Sequence, residues 1–213
     1  MKRFIIFALM LSATMTMIAQ NKFCIAKDGK TATIVVDEQD WKGVIRAAND
    51  LSDDVRKVTG KEAPLLSPLG GKPQIATITS PKGEAGRGFL LIGTIGKSRV
   101  IDHLIKQKKL DVKVIKGRWE AYKICVVDDN LVIAGSDKRG TINGIYEISQ
   151  RIGVSPWYWM ADAPVIHKDE VWYDDDNGND YGWPAMWATA FNEDDPESPR
   201  LAHGNRRCPS GTA

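Results

Sequence analysis

The segment Leu131–Pro164, LVIAGSDKRGTINGIYEISQRIGVSPWYWMADAP, most constrains what this chain can fold into. It begins with four aliphatic residues, which predict a short buried strand, and continues with isoleucines at helical spacing, which predict a helix. The isoleucines are at positions 142, 145, 148 and 152. The turn Gly135–Gly140 joins the two elements, so free backbone N–H groups and Arg139 come together at the helix N-terminus. Such a helix end suits an anion.

Two interpretations of this turn remain open. In the first, Arg139 forms a bidentate ion pair with the carboxylate of a bound acidic ligand, and the helix N-terminus adds positive potential. In the second, Asp137 caps the helix and Arg139 ties the turn to another part of the fold.

Aromatic residues and an acid follow the helix. Trp157, Tyr158 and Trp159 could stack on the apolar faces of pyranose rings, or they could bury against another domain. Glu120 and Asp162 are isolated acids, and neither has a visible partner for general acid–base chemistry. The sequence therefore predicts no catalytic residue. It predicts four substrate-binding residues: Asp137, Arg139, Trp159 and Asp162.

Strands and helices alternate along the rest of the chain. A helix capped by Asp40 and ended by Gly60 is predicted after the first strand, and another after the apolar run Phe89–Gly93. Runs of β-branched and aliphatic residues predict strands at Thr31–Asp37, Ala63–Leu66, Gln74–Thr79 and Phe89–Gly93, and a hairpin of Trp119–Asp128 with Leu131–Ala134 around Asp129-Asn130. The fold class is therefore α/β (α+β): a mixed β-sheet with packed helices.

The turn Gly93–Ser98, GTIGKS, matches half of a phosphate-binding loop. That pattern requires a glycine where this chain has Leu91. An ordinary strand-to-helix turn is therefore favoured over nucleotide binding.

Charge and composition limit the partners. Residues 20–168 carry 24 basic and 17 acidic residues, without the clustered basic stripe that nucleic-acid binding requires. The three histidines and three cysteines show neither metal-ligand spacing nor a disulfide framework. We therefore expect no nucleic-acid partner, no metal and no cofactor.

The first 19 residues have the pattern of a secretory signal peptide. Lys2 and Arg3 precede the apolar run Phe4–Leu11 and then small residues, with cleavage predicted after Ala19. The apolar run is too short for a membrane helix. The sequence predicts an exported protein, periplasmic or extracellular, with no membrane segment after cleavage.

Several long motifs then carry a resemblance to a known family. They are Trp41–Ala48, Ile92–Ser98, Lys116–Glu120, Gly135–Gly140 and Gly153–Asp162. In this order they resemble the N-terminus of family 115 glycoside hydrolases, the xylan α-glucuronidases of exported bacterial polysaccharide-degrading systems. The resemblance covers about residues 28–165. It implies an N-terminal accessory domain like those that precede many glycosidase barrels, followed by a (β/α)8 barrel with the catalytic carboxylates and by further domains.

The expected function follows from this resemblance and from size. A barrel needs ~250 residues, and only 49 follow Pro164. We expect a non-catalytic N-terminal domain of an α-glucuronidase-like hydrolase, inactive alone, whose carbohydrate partner is glucuronoxylan bound through the barrel. The alternative is a free-standing carbohydrate-binding module that uses the aromatic exit and Arg139.

The chain is thus divided into a signal peptide at residues 1–19, a mixed-sheet domain at 20–166 and an acidic, tryptophan-containing tail at 167–213. The tail lacks apolar periodicity and is predicted to be irregular or non-native. Two explanations stay open: a truncated or frame-shifted gene product, and a short protein with an acidic tail. The oligomeric state is not predicted.

Overall fold

A computed structural model describes residues 21–67, 88–156, 158, 163–175 and 180–182. Trp159, Asp162, the predicted signal peptide and the strand predicted at Gln74–Thr79 lie outside the described residues. The described elements are, in chain order, β1 (Asn21–Lys27), β2 (Lys30–Thr31), β3 (Thr33–Val36), α1 (Lys42–Thr59), β4 (Leu65–Leu66), β5 (Phe89–Thr94), α2 (Arg99–Lys106), β6 (Tyr122–Val127), β7 (Asn130–Gly135), α3 (Lys138–Ile152), β8 (Val171–Asp175) and β9 (Asp180–Gly182).

The strands form two sheets. The larger sheet has the order β4-β3-β5-β7-β6-β9, in which β4, β3, β5 and β7 are parallel and β6 and β9 are antiparallel to their neighbours. The smaller sheet has the order β2-β1-β8 and is antiparallel. The described residues form no closed barrel, and the predicted mixed α+β class is confirmed.

Alternation along the central strands divides the core into two layers, because successive side chains of a strand point to opposite faces. Ile34 of β3 aligns with Leu90 of β5, which aligns with Leu131 of β7, and all three pack under α1, α3 and the smaller sheet. The next residue of each strand packs on the other face, under α2 and the segment that follows it. Helices therefore cover both faces of the larger sheet.

The helices begin and end largely where the sequence predicts. In α1 the buried residues recur every three or four positions from Val44 to Val58, and Gly60 ends the helix with φ +72°, a left-handed conformation that favours glycine. Asp137 caps α3. Asp40, however, does not cap α1, which begins after Trp41 without a side-chain cap.

Two other boundaries differ from prediction. The hairpin between β6 and β7 turns at Asp128 and Asp129, both with positive φ, one residue earlier than expected. The prediction that residues 167–213 are irregular is wrong for β8, which pairs with β1 and buries Val171 and Tyr173, and for β9, which pairs with β6. The alternation of buried and exposed residues in β8 is hard to see in the sequence because acidic residues surround it. The sequence also does not predict β1 as the partner of β8.

Within the described part of the chain, none of the helices has the length and apolar character needed to cross a membrane.

Candidate functional site

The carboxyl ends of the parallel strands β3, β5 and β7 meet at one edge of the larger sheet. After β3 the chain enters α1 on one face, and after β5 it enters α2 on the opposite face. Ligands of open α/β sheets bind outside the carboxyl ends of the strands, where such a reversal opens a crevice. This edge therefore has the geometry expected of a ligand site.

An ion pair fills the crevice directly between β3 and β5. Asp37, buried just after β3, accepts from Arg99 Nε to Oδ2 at 2.8 Å and from Arg99 Nη2 to Oδ1 at 2.9 Å. The backbone N–H groups of Arg99 and Gln39 donate to the same carboxylate at 2.9 and 3.0 Å. Burial alone would raise the pKa of Asp37, but these hydrogen bonds and the Arg99 charge outweigh it and hold the pKa below its ordinary value.

Asp40 closes the same crevice at its outer end. Its carboxylate accepts from the backbone N–H of Trp41 to Oδ1 and from that of Thr94 to Oδ2, both at 2.7 Å. The residue predicted to cap α1 thus joins the start of α1 to the end of β5. These contacts fix both elements relative to each other.

An open cleft of about 470 Å³ lies beside this closed crevice. Its walls come from the start of α1, the turn after β5, Trp119 in the segment before β6 and the turn after β7. The lining residues are Trp41, Thr94, Ile95, Gly96, Lys97, Trp119, Ser136, Asp137, Lys138 and Arg139. Asp137 and Arg139, which were predicted from the sequence, are therefore brought together in a cleft.

The contacts of Asp137 and Arg139 agree with the second interpretation of their turn. Asp137 Oδ1 accepts from the Gly140 N–H and Oδ2 from the Glu120 N–H, each at 2.8 Å. Arg139 Nη1 donates to Glu120 Oε1 at 2.7 Å. Glu120, for which the sequence shows no partner for acid–base chemistry, is buried and holds Arg139, and it raises the pKa of the guanidinium through the hydrogen bond and the charge. Substrate binding by Asp137 and Arg139 stays a prediction.

Hydrogen bonds and close packing join the elements beneath the cleft. The hydroxyls of Thr94 and Thr141 are hydrogen-bonded at 2.8 Å, and Thr141 Oγ1 also donates to the Asp137 carbonyl at 2.9 Å. A Cβ on Gly140 would lie 2.2 Å from the Ala121 carbonyl oxygen, so only glycine allows α3 to approach β6 this closely.

Two tryptophans at the rim were not predicted as site residues. Trp41 is 44% exposed and Trp119 is 50% exposed. The ammonium of Lys97 lies 4.6 Å from the centroid of the Trp41 ring. A signal was present in the sequence, since Trp41 stands where a helix usually begins with a small polar residue.

The aromatic exit after α3 is described only at Tyr158. This ring is partly buried against the core and has the Lys57 ammonium 4.7 Å from its centroid. Tyr158 therefore packs on its own domain, while the predicted roles of Trp159 and Asp162 stay predictions.

The cleft offers stacking, cationic and hydrogen-bonding groups. Its supporting carboxylates, Asp137 and Glu120, are both held by donors, so they do not form an acid–base pair in this arrangement. Among the described residues, no group of three or more His, Cys, Asp or Glu is placed to hold a metal ion.

Comparison with known proteins finds similar solved structures. No protein-family model and no curated protein matches this chain. A solved structure, "a novel family GH115 4-O-methyl-α-glucuronidase, BtGH115A, with specificity for decorated arabinogalactans", is similar over 71% of this chain with 28% sequence identity and a TM-score of 0.52. This chain spans only 18% of that enzyme. A second structure, CpGH84D, matches with a TM-score of 0.38 and 12% identity over 68% of this chain and 20% of its own, a likeness too weak to support fold or function.

Proposed function

We propose that this protein contributes a non-catalytic, fold-completing domain to an α-glucuronidase-like glycoside hydrolase. The observation that carries the proposal is the 28% identity, over 71% of this chain, to part of a family GH115 glucuronidase. The motifs that resemble this family also lie on the cleft: Trp41, Lys97, Trp119 and Arg139 each belong to one of them. The motif resemblance therefore supports a role for this cleft in the proposed domain.

The substrate class is a glycan that carries glucuronic acid. The motif resemblance favours glucuronoxylan, whereas the similar solved enzyme is specific for decorated arabinogalactans. The two glycans share the uronic acid and differ in the backbone sugar. An assay must therefore include both.

A domain replacement tests this function. The part of BtGH115A that aligns with this chain is exchanged for residues 21–182, and release of 4-O-methylglucuronic acid from decorated arabinogalactan is measured. We expect a folded chimera that retains activity, because this chain is similar to that part of the enzyme in sequence, at 28% identity, and in structure, with a TM-score of 0.52. A matched variant that lacks the domain is the control, and we expect it to lose folding or activity.

The chain itself is assayed in parallel on glucuronoxylan and on decorated arabinogalactan. We expect no release of glucuronic acid above background, because the described acids of the cleft are committed to Arg139 and to backbone donors. A chimera that folds but is inactive, or turnover by the chain itself, would contradict the proposal.

We also propose that the protein is exported to the periplasm or the medium. The basic start at Lys2 and Arg3 and the apolar run Phe4–Leu11 support this. Mass spectrometry of protein recovered from those compartments should give an N-terminus at Gln20. An intact Met1 in a purely cytosolic fraction would refute it.

A further inference from the structure

We propose that the cleft between Trp41 and Trp119 is itself a binding site for a glycan that bears a uronic acid. The indoles contact sugar rings, and Lys97 and Lys138 hold the carboxylate. The choice of a glucuronic-acid glycan rests on the proposed function, whereas the site rests on the geometry of this chain. The site differs from the aromatic exit after α3.

The first argument is that two tryptophan side chains are exposed inside a cleft. Trp41 and Trp119 are about half exposed, and both line the same cleft. Its volume of about 470 Å³ lies within the range typical of small-molecule sites. Indole rings offer flat apolar faces with a polar N–H at the edge, which suits the mixed surface of a pyranose.

The second argument is charge. Lys97, Lys138 and Arg139 line the cleft, against one acidic residue, Asp137. Both carboxylate oxygens of Asp137 already accept from backbone N–H groups, and Arg139 is paired with Glu120. For Lys97 and Lys138 the described residues provide no ion pair, and Lys97 is held over Trp41. Among the described residues, no carboxylate therefore neutralises these two ammonium groups, and both can pair with the carboxylate of a ligand.

The third argument is that the walls are already fixed. Asp40 joins the segment before Trp41 to Thr94, and Asp137 joins Glu120, next to Trp119, to the start of α3. A ligand would therefore meet groups whose backbone is ordered in advance, which lowers the cost of binding.

A nucleotide phosphate fits this place less well. The turn after β5 has no room for the wide backbone loop that cradles phosphates, because Gly93 lies against Ser98 and the Ser98 hydroxyl accepts from the Ile101 N–H. The tryptophans and lysines point instead to a ligand with apolar ring faces and one carboxylate.

Titration calorimetry on the full chain tests the site. The probes are a xylo-oligosaccharide that carries one glucuronic acid, the unsubstituted xylo-oligosaccharide of the same length, and a galacto-oligosaccharide that carries one glucuronic acid. The variants are Trp119→Ala and the double variant Lys97→Ala/Lys138→Ala. The matched controls are Trp172→Ala, a 46% exposed tryptophan on β8, and Lys113→Ala, an exposed lysine outside the cleft.

We expect saturable binding of at least one acidic probe and weaker binding of the neutral one. Trp119→Ala should weaken binding about tenfold, the fold-change that corresponds to about 1.4 kcal/mol of lost ring contact. The double lysine variant should bind the acidic and neutral xylo-oligosaccharides with nearly equal affinity. Both control variants should bind as the parent does, and thermal unfolding should show that every variant is folded.

Three results would overturn the inference: no saturable binding of either acidic probe, an unchanged affinity in folded Trp119→Ala, or an equal loss in Trp172→Ala. The domain replacement separates this outcome from failure of the proposed function. If the chimera is active but this chain binds no glycan, the cleft site is refuted and the proposed function stands. If this chain binds the glycan but the chimera is inactive, the hydrolase role is refuted and the cleft site stands.

Discussion

The buried carboxylate of Asp37 gives the sharpest test of how this domain is held together. It accepts three hydrogen bonds from Arg99, two from the guanidinium and one from the backbone, and a fourth from the Gln39 N–H. These contacts join the end of β3 to the start of α2, which lie on either side of the sheet reversal. The Asp37→Ala variant removes all four and leaves the Arg99 guanidinium without this partner.

The expected loss follows from the burial of the pair. Removing one partner of a buried, hydrogen-bonded ion pair costs about 3–5 kcal/mol. The Arg99 side chain is 27% exposed, so water can partly rehydrate its charge, and we expect the lower end, about 3 kcal/mol. The matched control is Asp53→Ala, whose pair with Arg56 is half exposed and should contribute less than about 1 kcal/mol.

Urea unfolding at pH 7 measures both variants against the parent. Equal losses for Asp37→Ala and Asp53→Ala, or a loss below about 1 kcal/mol for Asp37→Ala, would refute this account of the crevice.

The pH dependence of the unfolding free energy gives a second check, through the variant Asp37→Asn. Because the folded-state pKa of Asp37 is lowered, its stabilisation is complete above the ordinary value of about 3.9 and is lost as the pH falls through the lower folded value. The difference in unfolding free energy between parent and Asp37→Asn should therefore shrink below about pH 4.

Two further substitutions probe packing and titration. Gly140→Ala should lose about 2 kcal/mol or more in urea unfolding, since the new Cβ would meet the Ala121 carbonyl, whereas Gly43→Ala, whose Cβ finds ordinary contact, should be neutral or stabilising. A stable Gly140→Ala would show that α3 can move away from β6 at little cost. Burial and, after it, the hydrogen bond to Asp50 raise the pKa of Tyr146 to about 12. The contribution of Tyr146 to the stability of the folded chain is therefore complete below about pH 10 and is lost as the pH rises through 12. Absorbance titration of tyrosinate should show a component near pH 12 that Tyr146→Phe lacks; its persistence in that variant would contradict the assignment.

The helices and the central strands could be predicted because local pattern decides them. Residues from Val44 to Val58 repeat at helical spacing, Gly60 can adopt the left-handed conformation, and Phe89–Gly93 is apolar enough to be buried on both faces. The smaller sheet could not be predicted in this way. In β8 the buried residues Val171 and Tyr173 alternate with an exposed tryptophan and an acidic residue. The segment forms a strand because it pairs with β1, which is distant in the sequence.

Asp40 shows why a correct local rule can give the wrong contact. An aspartate before an apolar helical repeat is a standard N-cap signal. Here the helix starts one residue later, and Asp40 instead accepts from the Thr94 N–H, at the end of a strand that neighbours β3 only through parallel pairing. The alternative partner appears only when the strand order is known.

The pairing of Arg139 with Glu120, by contrast, was within reach of the sequence. Once β6 and β7 form a hairpin with a two-residue turn, Tyr122 lies opposite Gly135, and the same register places Glu120 near Asp137 and Trp119 near Lys138. The prediction placed the turn one residue late, which shifts every cross-strand neighbour and hides these pairs. Trp41 joins the same cleft for a different reason, because parallel pairing of β3 with β5 sets the start of α1 beside the turn that holds Lys97. One wall of the cleft thus depends on a turn that sequence can fix, and the other depends on a strand order that only the folded chain defines.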